Sequence, residues 1–215
     1  MDIIKEIKFP STDNEWIPKV LIGGFLGTVP IINFFVYGYY MKVLKAASED
    51  TPELPKWDDW GNLFISGLIV FIICTIYFLV PVIVTSLFLG GLVISAISTS
   101  TMDLEIIGAA MGGFLVSILL LLISSFILPM ALSMYIKEDS IGAAFNIGEL
   151  LSRIKSVLRD YLIVIVVVFI LFFILGMIAS VPFFGWLIFL LGKFYILVVA
   201  ASMYGKVYDQ SKAQN

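Results

Sequence analysis

The chain has 215 residues, of which 60% are apolar and only 13% are charged, and its formal net charge is −3. Charged residues make up about a quarter of an ordinary globular protein, so this composition excludes a soluble domain and indicates a membrane protein. One cysteine, Cys74, excludes an internal disulfide and a metal site built from cysteines. The absence of histidine removes the commonest metal ligand and the usual general base near neutral pH. We therefore expect no enzymatic activity, no metal and no cofactor.

The first segment, residues 1–15, interleaves isoleucines with Lys5 and Lys8. It lacks the continuous apolar core and the small-residue cleavage site of a secretory signal. We expect it to lie on the membrane surface as short helical turns.

The next segment, residues 16–42, is apolar but is interrupted by four helix-breaking residues, Gly23, Gly24, Gly27 and Pro30. It either crosses the membrane once or enters and returns on the same side as a hairpin. The glycines and the proline favour the hairpin, although irregular backbone at that depth must be covered by protein. An acidic, tryptophan-containing connection, residues 43–61, follows.

Four long apolar stretches complete the membrane part: residues 62–98, 104–136, 160–181 and 183–205. A span needs about 20 residues. The first of these stretches is longer than that, so it is either one kinked span around a central proline or two short helices. The chain closes with a polar tail, residues 206–215.

Lysine and arginine occur in blocks at the N-terminus, after the first apolar segment, between residues 137 and 159, and at the C-terminus. Short loops that carry such residues tend to stay cytoplasmic. With the hairpin, every block lies inside. With six spans, the 43–61 connection lies outside. Both arrangements place the two termini in the cytoplasm.

We therefore predict an all-α polytopic helical membrane protein, a single domain over residues 1–215, with four long spans and a Gly/Pro-broken hairpin. The alternative is six spans arranged as two inverted three-helix repeats. A weak repeat supports that alternative, because Pro30 and Pro81 are spaced almost as Pro129 and Pro182 are.

Trp57, Asp58, Asp59 and Trp60 form the most distinctive string in the connection. Tryptophan prefers the headgroup level, and carboxylates stabilise the N-terminal end of a helix, so the string is typical of an interfacial anchor. We predict both tryptophans on one helical face. A second hypothesis is a cation or partner docking site built from the neighbouring carboxylates Glu49, Asp50, Glu53, Asp58 and Asp59.

The segment from Leu54 to Phe64, closing with Gly67, resembles the hallmark of a prokaryotic integral-membrane family catalogued as a domain of unknown function. The earlier Gly-Gly run and the Gly38-Tyr39-Tyr40 element are similar to that family as well. The resemblance implies a polytopic helical membrane protein and supplies no activity, cofactor or catalytic residue.

A second amphipathic stretch, residues 139–158, is predicted to lie along the inner leaflet as an interfacial helix. Its apolar face contains Ile141, Phe145, Leu151, Ile154 and Leu158. Its cations, which are candidate contacts to lipid or a partner, are Arg153, Lys155 and Arg159. Asp139 or Ser140 is the expected N-cap.

Two polar residues fall inside apolar segments, Asn33 and Lys193. Charge at membrane depth is costly and often functional. The favoured function is a bilayer-organising scaffold or an accessory subunit of a complex in the cytoplasmic membrane, with lipids as partners, other membrane proteins or a second copy as further candidates, and no nucleic acid. The alternative is a small transporter or channel, with Lys193 and the Gly/Pro breaks near 23–30 and 176–185 lining a site.

Overall fold

The computed structural model describes residues 2–47, 53–99, 104–181 and 184–213. Within these ranges all regular structure is helical. Short 3-10 turns cover Phe9–Thr12 and Ile141–Phe145. The α-helices are α1 (Ile3–Lys8), α2 (Trp16–Leu26), α3 (Asn33–Ala47), α4 (Trp60–Thr99), α5 (Leu104–Glu138), α6 (Ile147–Ser156), α7 (Leu158–Ala179) and α8 (Gly185–Ala213).

Four helices, α4, α5, α7 and α8, are long and apolar enough to cross a membrane. They also leave large apolar side chains uncovered, among them Leu115, 65% exposed, and Phe169, 69% exposed. Exposed apolar surface of this extent is unfavourable in water and suits contact with lipid. The prediction of an all-α polytopic membrane fold is confirmed.

Residues 16–42 form a broken pair of helices, as the glycines and the proline predicted. α2 ends at Leu26, Pro30 lies in the turn, and α3 begins at Asn33. Residues 62–98, by contrast, form one continuous helix with Pro81 inside it, rather than two short helices. Pro129, the counterpart of Pro30 in the suggested repeat, lies inside α5 and marks no turn. The two halves therefore differ locally where the repeat would require them to match.

The chain divides into two compact units. One is formed by Met1–Phe71 with Met130–Asn215, and the other by Ile72–Pro129. The second unit is an antiparallel helix pair in which the Ser124 hydroxyl donates to the Tyr77 carbonyl oxygen at 2.9 Å. Gly113 permits the approach, because a β-carbon there would lie 2.0 Å from the Phe88 ring. Gly108 and Gly112, in the same helix, have nothing within 4 Å of that position.

The core of the first unit lies around α3 and the C-terminal half of α8. Tyr39, Met41, Tyr161, Met203 and Tyr208 are all fully buried there. α7 and α8 are antiparallel, with the rings of Tyr161 and Tyr204 5.7 Å apart. Because this packing continues towards the C-terminus, α8 extends to Ala213, past the predicted end at residue 205.

Candidate functional site

A buried ion pair holds the segment that precedes α4. The Lys19 ammonium donates to Asp13 Oδ2 at 2.7 Å and to the Leu54 carbonyl oxygen at 2.9 Å. The Leu54 N–H group donates to the same carboxylate oxygen at 3.0 Å. The side chains of Lys19 and Asp13 are only 10% and 6% exposed. Each charge is compensated by the other and by backbone groups, which is the condition under which a buried pair is tolerated.

The ionisation of Asp13 follows from this environment. Burial raises the pKa of the carboxyl, but the hydrogen bonds from Lys19 and from the backbone N–H groups of Glu15 and Leu54 outweigh it. The pKa of Asp13 is therefore lowered from its ordinary value of 3.8. The group is a stable carboxylate at neutral pH, which suits a structural contact better than proton transfer.

Trp57 packs into the same cluster. Its indole stacks on the Tyr39 ring at 4.1 Å between centroids, and its Nε1–H group donates to the Lys19 carbonyl oxygen at 3.1 Å. The Tyr39 hydroxyl donates to the Pro55 carbonyl oxygen at 2.9 Å. The prediction that Trp57 shares a helical face with Trp60 is wrong, because α4 begins only at Trp60. Its ring instead lies between Tyr39 of α3 and Trp60 at the beginning of α4.

The next three residues of the string shape the beginning of α4. Asp58 pairs with Lys42 of α3, and both side chains remain partly exposed. Asp59 has a φ of 52°, in the left-handed region, and its carbonyl oxygen accepts the Leu63 N–H group at 3.0 Å. Trp60 is 44% exposed and contacts the Phe35 ring, 5.4 Å away. The side chains and backbone of this string therefore make contacts that position the beginning of α4.

The predicted carboxylate cluster is only partly described. Glu49 and Asp50 lie outside the described residues. Within the described ranges no group of three metal-ligating side chains occurs. A cavity of about 280 Å³ adjoins Asp58 and Asp59, and Lys42 and Lys45 line it as well.

Asn33 and Lys193, the two polar residues predicted inside apolar segments, line one cavity between α2, α3 and α8. The cavity holds about 290 Å³. Gly23, Gly24, Gly27 and Thr28 form part of its wall, so the broken segment near 23–30 lies beside Lys193. The break near 176–185 contributes no lining residue in the described part of the chain.

α6 has a mixed surface. Leu150, Ile154 and Val157 are buried, whereas Ile147 and Leu151 are 44% and 49% exposed. α6, Ile147–Ser156, is shorter than the helix predicted over residues 139–158. Of the predicted apolar face, Ile154 is buried, whereas Ile141, Leu151 and Leu158 are exposed. The N-cap prediction is wrong as well: Asn146 caps α6, because its side chain accepts the Glu149 N–H group at 3.3 Å.

The three cations of this stretch are not equivalent. The Arg153 Nε–H group donates to Glu149 at 3.0 Å, and the guanidinium lies 5.2 Å from the Tyr208 ring centre. With its side chain 13% exposed, Arg153 packs α6 against α8. Lys155 and Arg159 are exposed.

The sequence did not predict one contact, which joins the N-terminal segment to α8. Glu6 is 3% exposed, and its carboxylate accepts from Lys206 at 2.6 Å and from the Ser202 hydroxyl at 3.0 Å. The Tyr195 hydroxyl donates to the Ile7 carbonyl oxygen at 2.8 Å. These partners lie nearly 200 residues away along the chain, so no local spacing indicates them.

A model of the protein family described as "Protein of unknown function (DUF4013)" matches residues 22–184. No curated protein matches the chain. No solved structure matches it either.

Proposed function

The chain belongs to this family of proteins of unknown function, and we propose that it is a non-enzymatic scaffold or accessory subunit in the cytoplasmic membrane. One observation carries the proposal. Three non-spanning segments, the N-terminal arm (residues 3–12), the connection before α4 (residues 53–59) and α6, are each fastened by charged contacts within one compact unit. The contact that holds α6 joins the Arg153 guanidinium to Glu138 at the end of α5, 3.6 Å away.

Segments that are held in place by such contacts are better suited to form a binding surface than to move as a gate. The arm is held by the buried Glu6 carboxylate, and the connection is held by the Lys19–Asp13 pair. A surface whose groups are already fixed loses little conformational entropy when a partner binds.

α6 and the beginning of α7 support contact with the bilayer or with another membrane protein. Ile147, Leu151 and Leu158 are 44%, 49% and 43% exposed, and the exposed cations Lys155 and Arg159 flank them. Apolar side chains beside cations suit the boundary between acyl chains and anionic headgroups. We infer that the partners are membrane lipids and other membrane proteins or a second copy, with no role for nucleic acid.

The absence of histidine supports the non-enzymatic part of the proposal. The buried carboxylates of Asp13 and Glu6 are each paired with a lysine. The lowered pKa of Asp13 makes this carboxylate a poor general base.

Liposome reconstitution tests the scaffold role. We expect full-length protein to reduce the mean liposome diameter as the protein-to-lipid ratio rises, measured by electron cryomicroscopy. Leu151→Glu should abolish the effect, because it places a charge on the exposed apolar side of α6. Ser152→Glu is the matched control, since Ser152 is exposed on the same helix. Liposomes that keep their diameter with the wild-type protein would contradict the proposal.

A small transporter or channel is the second candidate, and the shared cavity of Asn33 and Lys193 favours it. Its test is flux of small anions into sealed proteoliposomes. Flux that Lys193→Ala removes would favour transport over the scaffold.

A further inference from the structure

The cavity between α2, α3 and α8 exists because glycines let α2 approach α8. A β-carbon on Gly23 would lie 2.2 Å from the Phe194 ring, and one on Gly24 would lie 2.9 Å from a Leu191 methyl group. The backbone of α2 therefore forms one wall of the cavity. The turn that follows α2 supplies Thr28, and α3 supplies Asn33 and Tyr37.

Three polar side chains at this cavity have no partner in the described part of the chain: the Lys193 ammonium, the Asn33 amide and the Tyr37 hydroxyl. The fourth, the Thr28 hydroxyl, is used locally, since it donates to the Phe25 carbonyl oxygen at 2.6 Å. No carboxylate is among the described lining residues. The positive charge of Lys193 is therefore not neutralised by the cavity itself.

Lys193 stands in an apolar part of α8. It precedes Lys206, which pairs with Glu6, by about 20 Å along the helix axis at 1.5 Å per residue. The residues on either side of it, Ile188 to Gly192 and Phe194 to Ala201, carry no charge. A lysine in such surroundings is costly unless it reaches an interface or meets an anion.

The remaining walls are apolar. Phe189, 43% exposed, Leu190 and Leu197 line the cavity beside the polar groups. An anion that carries hydrocarbon chains would suit both the polar and the apolar walls of the cavity. Its charge would contact Lys193, and its chains would cover the exposed apolar side chains.

We propose that this cavity binds the phosphate group of an anionic phospholipid, with Lys193 as the charged contact and Asn33 and Tyr37 as hydrogen-bond donors. The site does not depend on the scaffold role, because a bound acidic lipid is compatible with either candidate function.

The test is binding of phosphatidylglycerol to the full-length protein in mild detergent, measured by native mass spectrometry. Phosphatidylcholine and glycerol 3-phosphate are the comparison ligands. We expect saturable binding of phosphatidylglycerol that Lys193→Ala weakens about tenfold, the loss that corresponds to one charge-assisted hydrogen bond. Lys193→Arg should retain binding. Lys212→Ala, which removes an exposed cation outside the cavity, should bind as the wild type does.

Asn33→Leu is the second variant, because it fills the cavity and keeps the charge. It should weaken phosphatidylglycerol binding even if Lys193→Ala fails to fold. Unchanged binding in both cavity variants would overturn the proposal, and so would an equal loss in Lys212→Ala or equal binding of phosphatidylcholine. Tight binding of glycerol 3-phosphate without the lipid would assign the cavity to a free phosphate and overturn the lipid as its occupant.

Discussion

Gly38 in α3 lies directly against Leu63 in α4: a β-carbon on Gly38 would stand 1.9 Å from the Leu63 carbonyl oxygen. One turn away the relation is reciprocal, since a β-carbon on Gly67 would stand 1.8 Å from the Phe34 carbonyl oxygen. Two helices approach this closely only where glycine leaves the backbone uncovered. This crossing sets where α4 begins and so positions the string from Trp57 to Trp60.

Substitution at the crossing should be strongly destabilising. Gly38→Ala or Gly67→Ala forces the two backbones apart, and overpacking of this kind costs about 1–3 kcal/mol or more. We expect each variant to lose at least about 2 kcal/mol in the free energy of unfolding, measured by denaturant titration in detergent with tryptophan fluorescence as the signal.

Gly61→Ala is the matched control, because it lies in the same helix and has nothing within 4 Å of its β-carbon position. It should be neutral or stabilise by up to about 1 kcal/mol, since alanine is the better helix former. Equal destabilisation by Gly38→Ala and Gly61→Ala would argue against the close crossing.

The buried pair of Lys19 and Asp13 should be sensitive to removal of either partner. Lys19→Met leaves a buried carboxylate without its cation, which costs about 3–5 kcal/mol when a buried pair is broken. We expect a lower unfolding midpoint, and the Trp57 emission should change because its indole bonds to the Lys19 backbone.

Two further variants distinguish the loss of the Lys19–Asp13 pair from the loss of a positive charge in general. Lys8→Met removes an exposed cation and should change stability by less than about 0.5 kcal/mol. Asp13→Asn combined with Lys19→Met should be less destabilising than the sum of the single changes, because the two residues interact. Additive effects would show that they do not.

Acid should weaken the same contact. The pKa of Asp13 in the folded protein is below the ordinary value of 3.8. Its contribution to stability is therefore complete above that value and is lost as the pH falls through the folded-state pKa. A stability titration from pH 6 to pH 2 should show a steeper loss for the wild type than for Asp13→Asn. Parallel curves would contradict this assignment.

The N-terminal arm should detach when its buried carboxylate is neutralised. Glu6→Gln weakens the bond to Lys206, so trypsin should cleave after Lys5 and Lys8 faster than in the wild type, as judged by mass spectrometry. Glu15→Gln, an exposed change nearby, should leave the rate unchanged. Equal rates in Glu6→Gln and the wild type would show that the pair does not hold the arm.

The sequence predicted the long helices well, because length and hydropathy alone identify a span and the residues around Pro30 identify a break. It did not predict that Trp57 precedes α4 and stacks on Tyr39 of α3 as well as on Trp60. The stacking on Tyr39 depends on a connection that folds back to α3, and the spacing of apolar residues along the sequence does not indicate such a change of chain direction. Glu6, Asp13 and Lys19 were missed for a related reason, since their contacts join separate elements.

The polar candidates show the same limit. Asn33 and Lys193 were singled out by their polarity in apolar surroundings, a local property. That they line the same cavity follows from the close approach of α2 to α8 at Gly23. Arg153 had the charge of a surface residue but lies largely covered, because Tyr208 and Glu149 occupy its two sides.

Cysteine accessibility in intact cells tests most directly whether the connection before α4 and α6 lie on the same, cytoplasmic side of the membrane. In a Cys74→Ser background, single cysteines replace three exposed residues, Glu53, Lys155 and Phe184. A membrane-impermeant maleimide should label Phe184→Cys before lysis, and Glu53→Cys and Lys155→Cys only after the membrane is opened. Labelling of Glu53→Cys in intact cells, with Lys155→Cys protected, would put the connection before α4 outside and contradict a scaffold whose polar segments share one side.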